Sequence, residues 1–172
     1  RATVMNSVMY RNIVRFVLLI LVQALVLNHI NFLGYINPYI YILFIFLFPV
    51  KGSRSLFILL SFFLGLIMDL FLDTGGIHAA ACVSIAYIRP VVLKFCFGTV
   101  YEYQTIKFNT VDFISKLSYF TILTLIHHFI LFSLEIFNIS KIILVLQTTL
   151  FSSIFTIILS VLVTIIFSRK TK

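Results

Sequence analysis

GLIMDLFLDTGGIHAAACVSIAYIRP, residues 65–90, sets Asp69, Asp73, His78 and Arg89 in a run that is otherwise aliphatic, aromatic or small. Ionisable groups are costly in hydrocarbon, so those kept there usually have a job. Asp73, Thr74, Gly75 and Gly76 carry the composition of a tight turn. They divide the stretch into two apolar arms, each near the length that crosses a bilayer. This pattern predicts a helical hairpin inside a membrane protein.

Composition leads to the same class. Hydrophobic residues make up 62% of the 172-residue chain and charged ones 10%, against roughly 45–50% and 25% in soluble domains. A soluble fold could not hide so much apolar surface. The formal charge of +8 would suggest nucleic acid in a soluble protein. Here the basic residues lie between apolar runs and not on one recognition element, so membrane topology explains them better and no nucleic-acid partner is expected. Cys82 and Cys96 have no neighbours at metal-ligand spacing and read as small core residues. The chain opens on Arg1, with Met5 and Met9 close behind. Residues 1–4 are therefore expected to be an addition made for expression, and no cleavable signal is expected.

Apolar runs measured against a span of roughly 20 residues predict six transmembrane helices, over residues 13–33, 38–50, 55–72, 76–97, 115–137 and 142–167. The polar cluster Asn28, His29, Asn31, Gly34, Asn37 and Pro38 marks the first turn. The second helix is short, bounded by Pro38 and Pro49, and reads as a partial or tilted element. In this arrangement Arg11, Arg15, Lys51, Arg54, Lys94, Lys107, Arg169, Lys170 and Lys172 fall on one side and only Lys141 on the other. The positive-inside rule then places both termini in the cytoplasm. Tyr35, Tyr39 and Tyr41 gather at the first outer turn, and Tyr101 and Tyr103 at the inner loop, as interfacial aromatics do. The longest connection, about residues 98–110, is too short for a separate domain. A single all-α transmembrane domain is expected.

The polar residues admit several roles. Asp69 and Asp73 stand four apart near the outer end of the third helix, and His78 begins the fourth at similar depth. A bond between His78 and one acid would pin the hairpin; the same group could instead offer a polar contact to a partner's outer domain, or take part in a proton relay. Arg89 lies about 18–20 Å further along the helix. It reads either as a headgroup anchor beside a Pro90 kink or as a partner-facing residue. His127 and His128 lie mid-helix and read as buried structural histidines. No Ser-His-Asp order, H-E-x-x-H or phosphate-cradling glycine loop appears, so neither enzymatic activity nor a cofactor or metal is expected.

Two stretches, NPYIYILFIFLFP at residues 37–49 and the hairpin at 65–90, resemble in order and spacing the bacterial rod-shape-determining membrane protein family MreD. Together they cover about a third of the chain. The resemblance implies a noncatalytic subunit of the machinery that inserts side-wall peptidoglycan in the bacterial cytoplasmic membrane. Its implied direct partner is MreC, a bitopic protein. Through MreC it is linked to the RodA glycosyltransferase, the class B penicillin-binding transpeptidase and MreB. The motifs bring forward Asn37, Pro38, Tyr39, Gly65, Asp69, Gly76, His78, Ala80, Ala81, Tyr87, Arg89 and Pro90 as partner-binding or structural positions.

MreD is also similar in architecture to the substrate-binding components of energy-coupling-factor vitamin transporters, which supplies an alternative. A vitamin site needs polar and aromatic groups in an outward pocket, and this chain has no tryptophan. An adaptor needs a groove of small residues for a partner helix. Ala79, Ala80, Ala81, Ser84 and Ala86 are expected to form one.

Overall fold

A computed structural model describes residues 2–30, 36–50, 52–98 and 111–168, with side chains from Tyr10 to Phe167. Among these residues the regular elements are all helical. Helix α1 (Ala2–Leu25) passes into a 3-10 turn at Leu27–His29, and a second 3-10 turn at Ile40–Ile42 passes into the short α2 (Leu43–Leu47). Then come α3 (Arg54–Leu72), α4 (Ile77–Phe97), α5 (Phe113–Ile136), a 3-10 turn at Ile139–Lys141 and α6 (Ile142–Ser168). The expected features at Asn31, Gly34, Tyr35, Lys51, Tyr101, Tyr103, Lys107 and residues 169–172 lie outside the described residues.

Five stretches are long and apolar enough to cross a membrane: Tyr10–His29, Arg54–Leu72, Ile77–Phe97, Phe113–Ile136 and Ile139–Phe167. Their outward faces are apolar, with Val17, Leu21 and Leu25 on α1 and Leu150, Ile154, Ile158 and Leu162 on α6 all exposed. That is the surface of a multi-pass membrane protein. Helix α1 begins at Ala2, taking in residues 2–4, and stops earlier than expected because Asn28 and His29 fall in the 3-10 turn.

The expected second span needs correction. Pro38 fixes its own backbone, Tyr39 is non-helical at φ −112°, ψ 77°, and α2 is five residues long. At 1.5 Å per residue it covers only about 7 Å. Isoleucine, tyrosine and phenylalanine fill this stretch, and such residues lose side-chain freedom in a helix. Their burial decides the outcome: Ile36 and every residue from Pro38 to Phe46 are buried. The stretch runs through the centre of the protein and is sheathed by the longer helices.

Packing follows chain order around that centre. Helix α3 lies against α4, α4 against α5 and α5 against α6, while α1 packs on α3 and on residues 40–47. One contiguous apolar core includes side chains from all six helices.

Caps explain the helix limits. Ser53 accepts the Leu56 N–H at the start of α3, and Asp112 accepts those of Ile114 and Ser115 at the start of α5. Helix α3 ends at Asp73 in the left-handed region (φ 54°), where a non-glycine residue is tolerated best if it is Asp or Asn. Gly75 and Gly76, also at positive φ, complete the turn. Gly65 then lets the two arms touch: a Cβ there would lie 2.5 Å from both the Ala79 Cα and the His78 carbonyl oxygen.

Those neighbours are backbone atoms and cannot swing aside. Gly65→Ala gains about 1 kcal/mol of helix propensity but overpacks the crossing at a typical cost of about 1–3 kcal/mol. Against backbone at 2.5 Å the upper end of that cost applies, so a net loss of about 2 kcal/mol is expected, read as a lower melting temperature in detergent. Gly52→Ala, whose nearest neighbour would be a Phe48 ring atom at 4.0 Å, should melt as the parent does. Equal melting of both variants would show that the two backbones do not meet at Gly65.

Candidate functional site: a polar lining around a buried segment

The buried stretch brings peptide groups into the apolar centre without a continuous helix to satisfy them, and each one left unpaired there costs several kcal/mol. Polar side chains from the surrounding helices meet this need. On α1, the Gln23 amide donates to the Pro38 carbonyl at 3.0 Å and accepts the Ile40 N–H at 2.7 Å. The same amide nitrogen donates to Asn28 Oδ1 at 2.9 Å. On α6, Thr156 Oγ1 accepts the Tyr39 N–H at 3.0 Å. Nearer the end where α3 begins, Arg15 donates to the Leu47 carbonyl at 3.2 Å.

Arg89 is the centre of the lower part of this lining. Its Nη2 donates to the Phe46 carbonyl at 3.2 Å and to the Phe48 carbonyl, and its Nε to Tyr119 Oη at 2.8 Å. Tyr119 in turn donates to the Phe46 carbonyl at 3.1 Å. The guanidinium lies over the Phe57 ring, 4.9 Å from its centroid. At 3% exposure this arginine turns inward, which corrects the expectation that it stretches to the headgroups. The planar fork of donors explains why arginine serves here, since Nε reaches the Tyr119 hydroxyl while Nη2 holds the two carbonyls.

Asp69 ties the hairpin, though not through the imidazole. Its two carboxylate oxygens accept the backbone N–H groups of His78 and Ala79, each at 2.9 Å, and Oδ1 also accepts the Thr74 hydroxyl at 2.6 Å. Gly76, the residue before α4, has no side chain with which to cap it. A carboxylate from α3 therefore supplies the cap, at the helix end that favours negative charge. Asp73, one turn on, is exposed.

The imidazoles face the buried segment. Tyr41 Oη, fully buried, bonds His78 Nδ1 at 2.7 Å and His127 Nε2 at 3.0 Å. His128 shares 2.9 Å with the Thr124 carbonyl through Nδ1 and 3.2 Å with Thr156 Oγ1 through Nε2. Tyr39 stacks edge-on against His128, with ring centroids 5.3 Å apart. Side chains from α4, α5 and α6 thus converge on Tyr39 and Tyr41.

Of the positions brought forward by sequence, Pro38, Tyr39, His78 and Arg89 meet on this segment, and Gly65, Asp69 and Gly76 build the hairpin. Asn37 is half-buried at its start. Pro90 sits inside α4 without ending it. Tyr87 is outward, 64% exposed, with the Arg54 guanidinium 5.0 Å from its ring centre. Ala80 faces outward, whereas Ala81 is fully buried. The expected alanine groove is thereby divided: Ala79, Ala81 and Ala86 pack inside the bundle.

Gln23, Thr156 and Tyr119 were not foreseen. Gln23 is the one polar residue in the apolar run over residues 16–27, which is itself a signal. Thr156 belongs to a buried hydroxyl row on α6 with Thr149, Ser152, Ser153, Ser160 and Thr164, whose spacing near 3.6 residues marks one inward face. Nothing local marks Tyr119 apart from other core aromatics.

Replacing Gln23 with Leu would leave the Ile40 N–H and the Pro38 carbonyl unpaired, at about 1–3 kcal/mol each. Gln23→Leu should lower stability in detergent by about 2–6 kcal/mol, with Gln23→Glu, which keeps the acceptor, falling between it and the parent. A parent-like Gln23→Leu would mean that the buried segment is held by other means. Asp69→Asn should cost about 1–3 kcal/mol through its cap, and Asp73→Asn next to nothing, by the same denaturation measurement.

Compared with known proteins, the chain matches no family model, no curated protein and no solved structure, so its role must be argued from the geometry.

Proposed function

We propose that this protein is a noncatalytic membrane scaffold of the MreD kind, holding an MreC-like bitopic partner and, through it, the RodA glycosyltransferase, the class B transpeptidase and MreB. One observation carries the reading. Of the interior polar groups, Asp69, Arg89, Gln23 and His128 are engaged with backbone groups of the protein itself, and His78 and His127 with the Tyr41 hydroxyl. Side chains fixed in this way stiffen a helical block, and a stiff block suits the holding of other proteins.

The outward strip of α4 suits a partner helix. Ala80 is exposed, Ser84 lies one turn on with its hydroxyl returned to the Ala80 carbonyl at 2.8 Å, and Tyr87 follows. Small residues at this spacing permit close helix approach in lipid. The charge pattern supports placement of both termini in the cytoplasm of a bacterium, with Arg11, Arg15, Arg54 and Lys94 towards one end of the bundle and Lys141 at the other.

Ala80→Leu is expected to reduce copurification of the MreC-like partner while the protein still accumulates in the membrane. Ala81→Leu should instead lower stability, because Ala81 has no room. Undiminished partner recovery with Ala80→Leu would remove this strip as the docking face. A vitamin recovered in stoichiometric amount, with no partner protein, would favour transport. Reporter fusions check the orientation: a C-terminal reporter active only outside the cytoplasm would contradict it.

A further inference from the structure

A cavity of about 140 Å³ opens at the end of the bundle where α3 begins, lined by Ser53, Arg54, Phe57, Arg89 and Leu93 among others. Three of the five N–H groups of Arg89 are used, one on Nε and two on Nη2. Nη1 has no acceptor among the described residues and is not among the sealed, unpartnered atoms. It therefore keeps access to open space, and the open space beside Arg89 is this cavity. A guanidinium nearly buried, with donors left over on its open side, calls for an anion.

Two further features converge there. Arg54 lines the same cavity from an exposed position, held beside Tyr87. The N-terminus of the 19-residue α3 also borders it, with Ser53 covering only the Leu56 N–H. The remaining wall is apolar, from Val50, Phe57, Pro90 and Leu93. Ala86, whose carbonyl Pro90 deprives of its helical N–H, lies in this wall as well. An arginine pair with an apolar flank matches a phosphate that carries hydrocarbon, and in a membrane protein phospholipids surround such a site.

We propose that this cavity binds the phosphate of an anionic phospholipid headgroup between Arg54 and Arg89. The anion enters the protein to reach an arginine whose own side chain is turned inward. The site is independent of the scaffold reading, since it requires no partner protein.

The full chain, delipidated in detergent, is mixed with phosphatidylglycerol, with phosphatidylcholine or with inorganic phosphate, and bound species are read by native mass spectrometry. The parent should retain phosphatidylglycerol over phosphatidylcholine. Arg54→Gln should weaken that retention about fivefold, the effect of about 1 kcal/mol for one basic residue near the headgroups. Arg11→Gln, an exposed cation on α1 outside the cavity, should leave it unchanged. Because Arg54 is exposed, its loss does not threaten folding, and an unchanged melting temperature checks this. Inorganic phosphate that competes fully with the lipid would keep the anion site and overturn the lipid source. Equal losses in Arg54→Gln and Arg11→Gln, or no preference between the two lipids, would overturn the site.

Discussion

A peptide group in an apolar interior must find a hydrogen-bond partner, and residues 36–50 carry many of them through the middle of this protein outside a long helix. Irregular backbone at membrane depth is tolerated only where protein encloses it and satisfies it. The surrounding helices are accordingly placed by what they supply. Gln23 on α1, Arg89 on α4, Tyr119 on α5 and Thr156 on α6 all reach the same segment. Gln23 and Arg15 stand eight residues apart, about 12 Å along α1, and bond Ile40 and Leu47 respectively. The segment therefore runs opposite to α1 and still returns the chain towards its basic end.

The α3–α4 hairpin obeys a second constraint, close approach. Gly65 removes the side chain where the two helices cross, and Asp69, one turn later, reaches over the gap to the first free N–H groups of α4. Each feature depends on the other. Without the glycine the carboxylate would stand too far away, and without the carboxylate a helix end would be buried uncapped. This hairpin fixes the depth of both His78 and Arg89, and with them the two levels at which the central segment is held.

Arginine serves two purposes in the chain. Arg11 and Arg54 are exposed, as a topological signal requires, whereas Arg15 and Arg89 are drawn onto carbonyl groups. Arg89 holds the segment and also lines the cavity that Arg54 lines. Structural arginine and surface charge are thus joined at one end of the bundle, where a lipid phosphate would meet them.

The class of protein, the hairpin with its turn at Asp73 to Gly76, and the approximate limits of α3, α4, α5 and α6 were legible in the amino-acid order. Composition, turn chemistry and apolar run length are local properties, and the bilayer imposes them segment by segment. That an acid ties the hairpin was legible for the same reason, because the tie spans only nine and ten residues, although sequence does not choose between Asp69 and Asp73 or show that the partners are backbone N–H groups. It took the packed helices to show that residues 38–50 form a largely buried segment with a five-residue helix, that Arg89 turns inward, that the His78 imidazole meets Tyr41 and not Asp69, and that Ala80 and Ala81 part company. An apolar run with prolines at both ends reads alike whether lipid or protein surrounds it. The groups that satisfy its backbone come from 15 to 117 residues away, and such pairings exist only once the helices have packed.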